Sequence, residues 1–148
     1  MSINIKILDE RLKFPEYFPK FSDGNAAVDL RACISKTSII YPNEVVKISC
    51  GFAMHLLDES LVGLLVPRSG LGTNGLVMAN STGVIDSSYV GVITAAVWNR
   101  SYKEIVVNPM DRICQMLIQR VEKPLFQIVE EFPETIRGEN GFGSSGMV

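Results

Sequence analysis

The chain is poor in histidine and cysteine. We interpret its one histidine, His55, as structural, which excludes a histidine-based triad and a metal site built from several histidines. The three cysteines, Cys33, Cys50 and Cys114, lie in apolar strand-like stretches without metal-ligand spacing. An odd number of such residues predicts reduced, buried thiols in a reducing compartment.

Excess charge and long apolar runs are also lacking. The chain has 14 Lys and Arg against 16 Asp and Glu, a net charge of −2, so its composition does not favour nucleic acid as a partner. No apolar run approaches the ~18 residues of a membrane span. The first residues, M-S-I-N-I-K-I, lack the apolar region of a signal peptide. We therefore expect a cytoplasmic protein that binds neither membranes nor nucleic acid.

What the chain does contain favours a folded all-β domain. Hydrophobic residues are 47% of its 148 residues and charged residues 20%, which suits one globular domain with a real core. No stretch keeps a helical apolar period, apart from a short helix predicted over Ser69–Asn74. Many short strands separated by turn signals predict a sandwich, jelly roll or barrel. The predicted strands are 3–8, 28–34, 45–50, 52–57, 62–66, 92–98, 104–107, 113–121 and 126–129.

The last residues, Arg137 to Gly146, read R-G-E-N-G-F-G-S-S-G. Glycine loses much conformational freedom on ordering, so a disordered spacer is one interpretation. A spacer, however, needs neither the arginine nor the phenylalanine, and serines among glycines offer the N–H groups and hydroxyls of an anion-binding nest. The alternative is a flap that orders over an anionic, flat-faced ligand.

The stretch P-R-S-G-L-G, Pro67 to Gly72, follows a predicted strand and opens the predicted helix. Free N–H groups at a helix start attract anions, and the guanidinium of Arg68 can grip a phosphate with two hydrogen bonds. The alternative is a surface turn with a solvated arginine.

A second stretch, Asn80 to Val92, predicts a hairpin with Asp86 and Tyr89 near its turn. A carboxylate beside phosphates can orient and deprotonate a water molecule, and a tyrosine ring can pack against a sugar. The same residue types are also ordinary in turns and strands, so this stretch alone does not decide between the two interpretations.

Two further positions carry polar side chains in apolar strands. Asp29 lies between Val28 and Leu30, so strand alternation places it on the opposite face, where it is solvated or holds a water of a hard metal's shell. Gln115 and Arg112 stand at a strand start. Gln115 could bond a phosphate or an ion's waters, or either residue could cap the sheet.

Taken in order, five stretches resemble the five motifs of the trimeric dUTPases: A-x-x-D-L-x-A, P-R-S-G-L, G-V-I-D-x-x-Y-x-G, R-I-x-Q-M and R-G-x-x-G-F-G-S-S-G. They span Ala26 to Gly146. The resemblance implies an all-β, distorted jelly roll with one short helix. It also implies a core over residues 1–133, a flexible C-terminal arm over 134–148, and a homotrimer with shared sites.

The resemblance further implies hydrolysis of dUTP to dUMP and pyrophosphate, which limits uracil in DNA and supplies the dTMP precursor. Asp86 would activate the attacking water, and Mg²⁺ would arrive with the phosphates, with Asp29 acting on it through water. The remaining site residues would bind the substrate. The phosphates would contact Arg68, Ser69, Gly70 and Gln115, the uracil would contact Asn80, Gly83, Val84 and Ile85, and the nucleoside would contact Tyr89 and Thr94. The closing arm would contribute Arg137, Phe142, Gly143, Ser144 and Ser145.

Some residues depart from the family pattern. Asn140 stands where glycine is usual, which would stiffen the arm, and Val90 and Val92 stand where polar residues are common, which leaves side-chain contacts there in doubt. Ser145 keeps the hydroxyl of the usual threonine, and Asp111 replaces a glutamate.

Two other functions are alternatives to this one. A dCTP deaminase would need a glutamate at the base's amino group, and the stretch 80–92 has none. A module that binds another protein under nucleotide control stays open as an added role.

Overall fold

The structure, a computed structural model, describes residues 2–139 and 141. Ten strands, one 3-10 turn at Glu10–Lys13 and one short helix form the described chain. In order they are β1 (Asn4–Ile7), β2 (Val28–Arg31), β3 (Ser38–Ile40), β4 (Val45–His55), β5 (Leu61–Pro67), α1 (Ser69–Thr73), β6 (Leu76–Met78), β7 (Gly83–Ile85), β8 (Val92–Asn99), β9 (Ile105–Val107) and β10 (Arg112–Arg120).

The strands form two four-stranded sheets and a separate pair. One sheet has the order β1-β4-β8-β6, the other β2-β10-β5-β7, and β3 pairs with β9. The pairings among the described strands are antiparallel. Consecutive strands often lie in different sheets, so the chain repeatedly crosses between the two layers. The prediction of an all-β fold with one short helix is confirmed.

The core lies where alternate side chains of the strands turn inward. In β2, Val28 and Leu30 are buried while Asp29 is partly exposed, as the alternation of apolar and polar residues predicts. The longest strand, β4, is buried over most of its second half and supplies Phe52, which is among the largest fully buried side chains. Burial of such side chains is the main favourable term in folding.

Several predicted strand bounds are wrong. Residues 45–50 and 52–57 were predicted as two strands, but β4 is one strand that bends at Gly51, where φ is 77° and the register with β8 shifts. Residues 126–129, in the described part of the chain, form no strand, and every side chain from 121 to 139 is exposed. The short strands β3, β6 and β7 were missed because three residues are too few to show a period.

The predicted hairpin over Asn80–Val92 is also wrong. The strand β7 pairs with β5, with Leu65 opposite Gly83, whereas β8 pairs with β4 and β6 in the other sheet. The segment between β7 and β8 therefore passes from one sheet to the other. A sequence pattern of strand, turn and strand cannot distinguish this crossing from a hairpin, because the pairing partner is set by distant residues.

The three cysteines are free thiols. Cys50 and Cys114 are buried, and Cys33 is half-buried. Burial raises the pKa of the Cys33 thiol to about 11. A hydrogen bond with Cys114, together with burial, raises the pKa of Cys50 well above its usual value. The burial predicted for the thiols is confirmed for Cys50 and Cys114, whereas Cys33 is less buried than expected.

The helices of the described chain are short. None of them has the length and apolar character that crossing a membrane requires.

Candidate functional site

A groove with a volume of about 860 Å³ opens beside β2, the end of β5 and the start of β10. These strands are neighbours in one sheet, and Gln115 of β10 lies opposite both Asp29 of β2 and Val66 of β5. The register thus brings three distant parts of the sequence to one surface. Five predicted site residues line the groove: Asp29, Arg68, Ser69, Gly70 and Gln115.

Asp29 is the centre of a charged cluster in this groove. One carboxylate oxygen accepts a hydrogen bond of 2.7 Å from Arg68 Nε, and the other accepts one of 3.1 Å from Arg112 Nη1. Arg68 Nη1 also lies 3.4 Å from the carbonyl oxygen of Arg112. The side chains of Asp29 and Arg68 are about one-third exposed. The carboxylate therefore orients two guanidinium groups while leaving them accessible to a ligand.

Gln115 holds the end of β5. Its Nε2 donates a hydrogen bond of 2.9 Å to the carbonyl oxygen of Pro67. Ser69 and Gly70 follow at the start of α1 and are exposed. Because α1 has only five residues, its dipole is small, and the side-chain charges dominate the field in this groove.

The groove has an excess of positive charge. Four cationic side chains line it, against two carboxylates. A concave surface with this balance concentrates anions and suits a ligand with several negative charges. The cations are Lys20, Arg31, Arg68 and Arg112, and the carboxylates are Glu16 and Asp29.

Arg31 is a groove residue that the sequence patterns did not single out. Its Nη1 donates to the carbonyl oxygen of Met110 at 2.9 Å and its Nη2 to that of Glu16 at 2.8 Å. Its guanidinium also lies 5.0 Å from the centre of the Tyr17 ring. Arg31 thus fixes the loop that forms the far wall of the groove. Its place two residues after Asp29, on the same strand face, was the signal that could have found it.

The second predicted cluster lies around the turn after β7. The backbone N–H of Tyr89 donates to the carbonyl oxygen of Asp86 at 3.0 Å and closes this turn, with the Asp86 side chain exposed. The Tyr89 hydroxyl donates to the carbonyl oxygen of Val92 at 3.0 Å. The Thr94 hydroxyl reaches the same carbonyl at 3.3 Å. These hydrogen bonds link Tyr89 to the Asp86 backbone and bring the hydroxyl groups of Tyr89 and Thr94 to the same carbonyl oxygen of Val92.

The strand β7 carries the predicted base-reading residues. Gly83 is buried against Leu65, where a Cβ atom would lie 3.0 Å from the Leu65 Cβ. Val84 is exposed and Ile85 is half-buried. Asn80 precedes the strand and is exposed. Since β7 is the last strand of its sheet, one of its two backbone edges has no strand beside it among the described residues.

The two clusters do not meet within one chain. Of the described residues that line the groove, none comes from the stretch 80–94. β7 pairs with residues 63–65 in the middle of β5, whereas the phosphate-site residues follow the C-terminal end of that strand. The structure brings together the predicted phosphate residues, and separately the predicted nucleoside residues with Asp86.

Of the site residues predicted in the C-terminal arm, the structure describes only Arg137. Arg137 lies in the exposed segment that follows β10 and does not line the groove. Phe142, Gly143, Ser144 and Ser145 lie outside the described residues.

Comparison with known proteins identifies the family. The family model for dUTPase matches residues 16–146. The chain belongs to the dUTPase family. The deoxyuridine 5'-triphosphate nucleotidohydrolase of Baumannia cicadellinicola is similar to it, with 44% identity over 147 residues, 99% of this chain and 98% of that protein.

Solved dUTPases share the fold. The dUTPase of Staphylococcus bacteriophage 80alpha, solved with dUpNHpp, has a TM-score of 0.81 and 26% identity, and the match covers 98% of both chains. The dUTPase of S. aureus phage phi11, solved with a structural Mg(II) ion, has a TM-score of 0.77 and 23% identity, covering 90% of this chain and 100% of that one. The predicted dUTPase family, its jelly-roll fold and its enzyme class, a nucleotide triphosphate hydrolase, are confirmed.

Proposed function

We propose that this chain hydrolyses dUTP to dUMP and pyrophosphate at sites that more than one copy completes. The observation that carries the proposal is the separation of a cationic groove around Asp29 and Arg68 from the turn that holds Asp86 and Tyr89. A triphosphate needs the first cluster and its nucleoside needs the second. Through this reaction the protein would limit uracil incorporation into DNA and supply dUMP for dTMP synthesis.

The groove would bind the triphosphate. The guanidinium of Arg68 is held by Asp29 with part of its surface exposed, so it can donate to phosphate oxygens without first being ordered. Ser69 and Gly70 offer a hydroxyl and an open backbone beside it. In this proposal Gln115 contributes through its contact with Pro67, which fixes the chain just before Arg68.

The free edge of β7 would read the base. Backbone N–H and C=O groups at a strand edge alternate as donors and acceptors, and they can pair with the polar edge of uracil. The close contact of Gly83 with Leu65 sets the depth of this edge, while Asn80, Val84 and Ile85 flank it. Cytosine, with a donor in place of an acceptor, would leave buried groups unpaired.

Asp86 would serve as the base in the chemical step. Its exposed carboxylate accepts a proton from water, the water oxygen forms a bond to the α-phosphorus in line, and the bond from that phosphorus to the bridging oxygen breaks. Pyrophosphate is the leaving group. Arg68, and Arg137 from the arm, would stabilise the charge that develops on the phosphate oxygens.

The residues present fit a magnesium ion that arrives with the substrate. Within residues 2–139 and 141, no group of three or more His, Cys, Asp or Glu side chains is placed to cage a metal, and Mg²⁺ commonly keeps waters and binds through phosphates. Asp29 and Gln115 would contact its water shell. The bound ion would supply neutralisation of the triphosphate charge.

The exposed C-terminal segment supports assembly with other copies. Five apolar side chains between residues 121 and 139 are 87% or more exposed, and burying such surface gains about 25 cal/mol per Å². We propose a homotrimer of cores, residues 1–133, in which the arm, 134–148, closes a neighbouring site with Arg137 and the glycine-rich end. The most exposed of these side chains are Leu125, Phe126, Ile128, Phe132 and Ile136.

The test is pyrophosphate release from dUTP, dTTP, dCTP and UTP with Mg²⁺. We expect release from dUTP alone, and a fall of roughly 10²–10⁴-fold in Asp86→Asn because the general base is lost. Glu104→Gln, an exposed carboxylate between β8 and β9, is the matched control and should keep its rate. Tight dUTP binding without bond cleavage in the wild type would contradict the proposal and favour a nucleotide-controlled binding module.

A further inference from the structure

The loop that precedes β2 forms one wall of the groove. Residues of this loop between Pro15 and Asn25 line the groove together with Arg68 and Ser69. Lys20 brings a cation to this wall, and its side chain is exposed. None of the five motifs contains this lysine, and the proposed function gives it no role.

The four cations of the groove differ in what they already contact. Arg68 and Arg112 donate hydrogen bonds to the carboxylate of Asp29. Arg31 donates to two backbone carbonyl oxygens. Within the part of the chain that the structure describes, Lys20 forms no hydrogen bond or ion pair. Its ammonium group is therefore available to an anionic ligand.

The loop reaches Lys20 from a segment that is fixed to the sheet. Two backbone hydrogen bonds of 3.0 Å close the turn over residues 14–18. Arg31 of β2 anchors this turn, because its Nη2 donates to the carbonyl oxygen of Glu16 at 2.8 Å. Pro19, whose ring fixes φ, then joins the turn to Lys20. Ordering of the lysine on a ligand therefore falls mainly on its side chain.

The lining of the groove indicates which end of a nucleotide lies inside it. In the proposed function Asp86 acts at the α-phosphorus and β7 reads the base, yet none of the described groove residues comes from the stretch 80–94. The nucleoside and the α-phosphate would therefore lie at the margin that another copy completes. The terminal phosphates would lie toward the groove's own walls, one of which carries Lys20.

The charge of the groove depends strongly on this lysine. Without it, three arginines against two carboxylates sum to +1, and with it the sum is +2. A triphosphate keeps a net negative charge greater than one even when Mg²⁺ accompanies it. The added cation therefore favours a ligand with a long phosphate chain.

We propose that Lys20 binds the terminal phosphates and makes the site select a triphosphate over a monophosphate. This rests on the proposed function, in which the groove binds the triphosphate of dUTP. The ammonium group donates to oxygens of the terminal phosphates, whereas a monophosphate at the α position lies out of its reach. Arg31 is the positioning residue, since it fixes the loop that carries Lys20.

The experiment measures dissociation constants for dUMP and dUpNHpp by calorimetry, with Mg²⁺ and the full chain. In dUpNHpp an imido group replaces the oxygen between the α- and β-phosphorus, so binding is measured without turnover. Four proteins are compared: wild type, Lys20→Gln, Lys20→Arg and Lys36→Gln. Lys36 is the matched control, because it is an exposed lysine that does not line the groove. Values of kcat and KM for dUTP are measured alongside.

We expect Lys20→Gln to weaken dUpNHpp binding about tenfold, the effect of losing one charge-assisted hydrogen bond, and dUMP binding by less than about twofold. KM for dUTP should rise while kcat stays within about threefold, because Asp86 rather than Lys20 acts at the α-phosphorus. Lys20→Arg keeps the charge and should recover most of the affinity for dUpNHpp. Lys36→Gln should match the wild type for both ligands.

Three results would overturn the proposal. Equal losses for dUMP and dUpNHpp in Lys20→Gln would show that the lysine supports the loop rather than binding a phosphate. Equal behaviour of Lys20→Gln and Lys36→Gln would indicate a solvated lysine without a ligand. An arginine variant no better than the glutamine variant would exclude the charge as the cause.

Failure of the proposed function looks different. A wild type whose preference for dUpNHpp over dUMP depends on Lys20, but which releases no pyrophosphate from dUTP, would retain this binding role and remove the enzyme reaction. An active wild type whose preference does not depend on Lys20 would retain the reaction and remove the binding role.

Discussion

At the scale of single residues, Asp29 shows how one carboxylate can organise a cationic site. Its partly exposed carboxylate accepts hydrogen bonds from Arg68, which follows β5, and from Arg112, which begins β10. A partly exposed ion pair contributes about 0–1 kcal/mol to stability, so the value of this cluster lies in orientation. Each guanidinium is already ordered when a ligand arrives.

We expect Asp29→Asn to lower kcat/KM for dUTP by about tenfold or more, because both guanidinium groups lose their charged anchor. Stability should change by less than about 1 kcal/mol. Steady-state kinetics and urea unfolding measure the two effects. An unfolding free energy that falls as strongly as the activity would show instead that Asp29 holds the sheet together.

Cys33 carries the clearest pH signature among the thiols. Burial raises its pKa from a usual value of 9.0 to about 11, so the folded state keeps the proton longer than the unfolded state does. The stabilisation is complete below pH 9 and is lost as the pH rises through 11. We expect the wild type to lose stability over this window in chemical unfolding, and Cys33→Ala to lose less. Equal alkaline losses in the two proteins would contradict this account.

At the scale of elements, Asn99 connects strands that belong to different sheets. It is fully buried at the end of β8, and its Nδ2 donates to the carbonyl oxygens of Ile40 and Lys103 at 2.8 and 2.7 Å. Its Oδ1 accepts from the N–H and the hydroxyl of Ser101. Each described buried side-chain N or O atom has a hydrogen-bond partner. This one side chain therefore forms hydrogen bonds both to the backbone of β3 and to the loop after β8.

Asn99→Ala should destabilise the fold by at least about 2 kcal/mol, since it leaves several buried polar groups without partners. Denaturant unfolding measures the change. Asn108→Ala is the control: Asn108 accepts an exposed hydrogen bond from Thr37, and its loss should stay below about 1 kcal/mol. Similar effects of the two substitutions would mean that water replaces the asparagine inside the fold.

At the scale of the whole molecule, the exposed C-terminal segment and the divided site are the two observations behind the proposed trimer. Deletion of residues 134–148 should leave the core folded and trimeric but remove most dUTP turnover, because the proposed lid is lost. Light scattering and pyrophosphate release measure the two properties. A monomeric full-length chain with full activity would contradict the trimer, and an active truncated chain would contradict the lid.

Local residue types were enough to indicate most of the longer strands, the short helix and the charged stretches. Alternation placed Asp29 on the exposed face of β2, and Pro67 followed by Arg68, Ser69 and Gly70 marked the start of α1. These features depend on neighbours within a few residues, so a sequence pattern carries them. The order of the five motifs indicates the family without reference to any contact.

The contacts of those residues depend on how the sheets are assembled. Sheet register and distant contacts decide that β7 pairs with β5 rather than β8 and that Tyr89 lies against Gly91. They also bring Arg68 and Arg112 to Asp29, which accepts a hydrogen bond from each. Register is set by the packing of whole sheets, which a local pattern does not encode. The residue types therefore indicate which chemical groups are available, whereas the register of the sheets sets where each group lies.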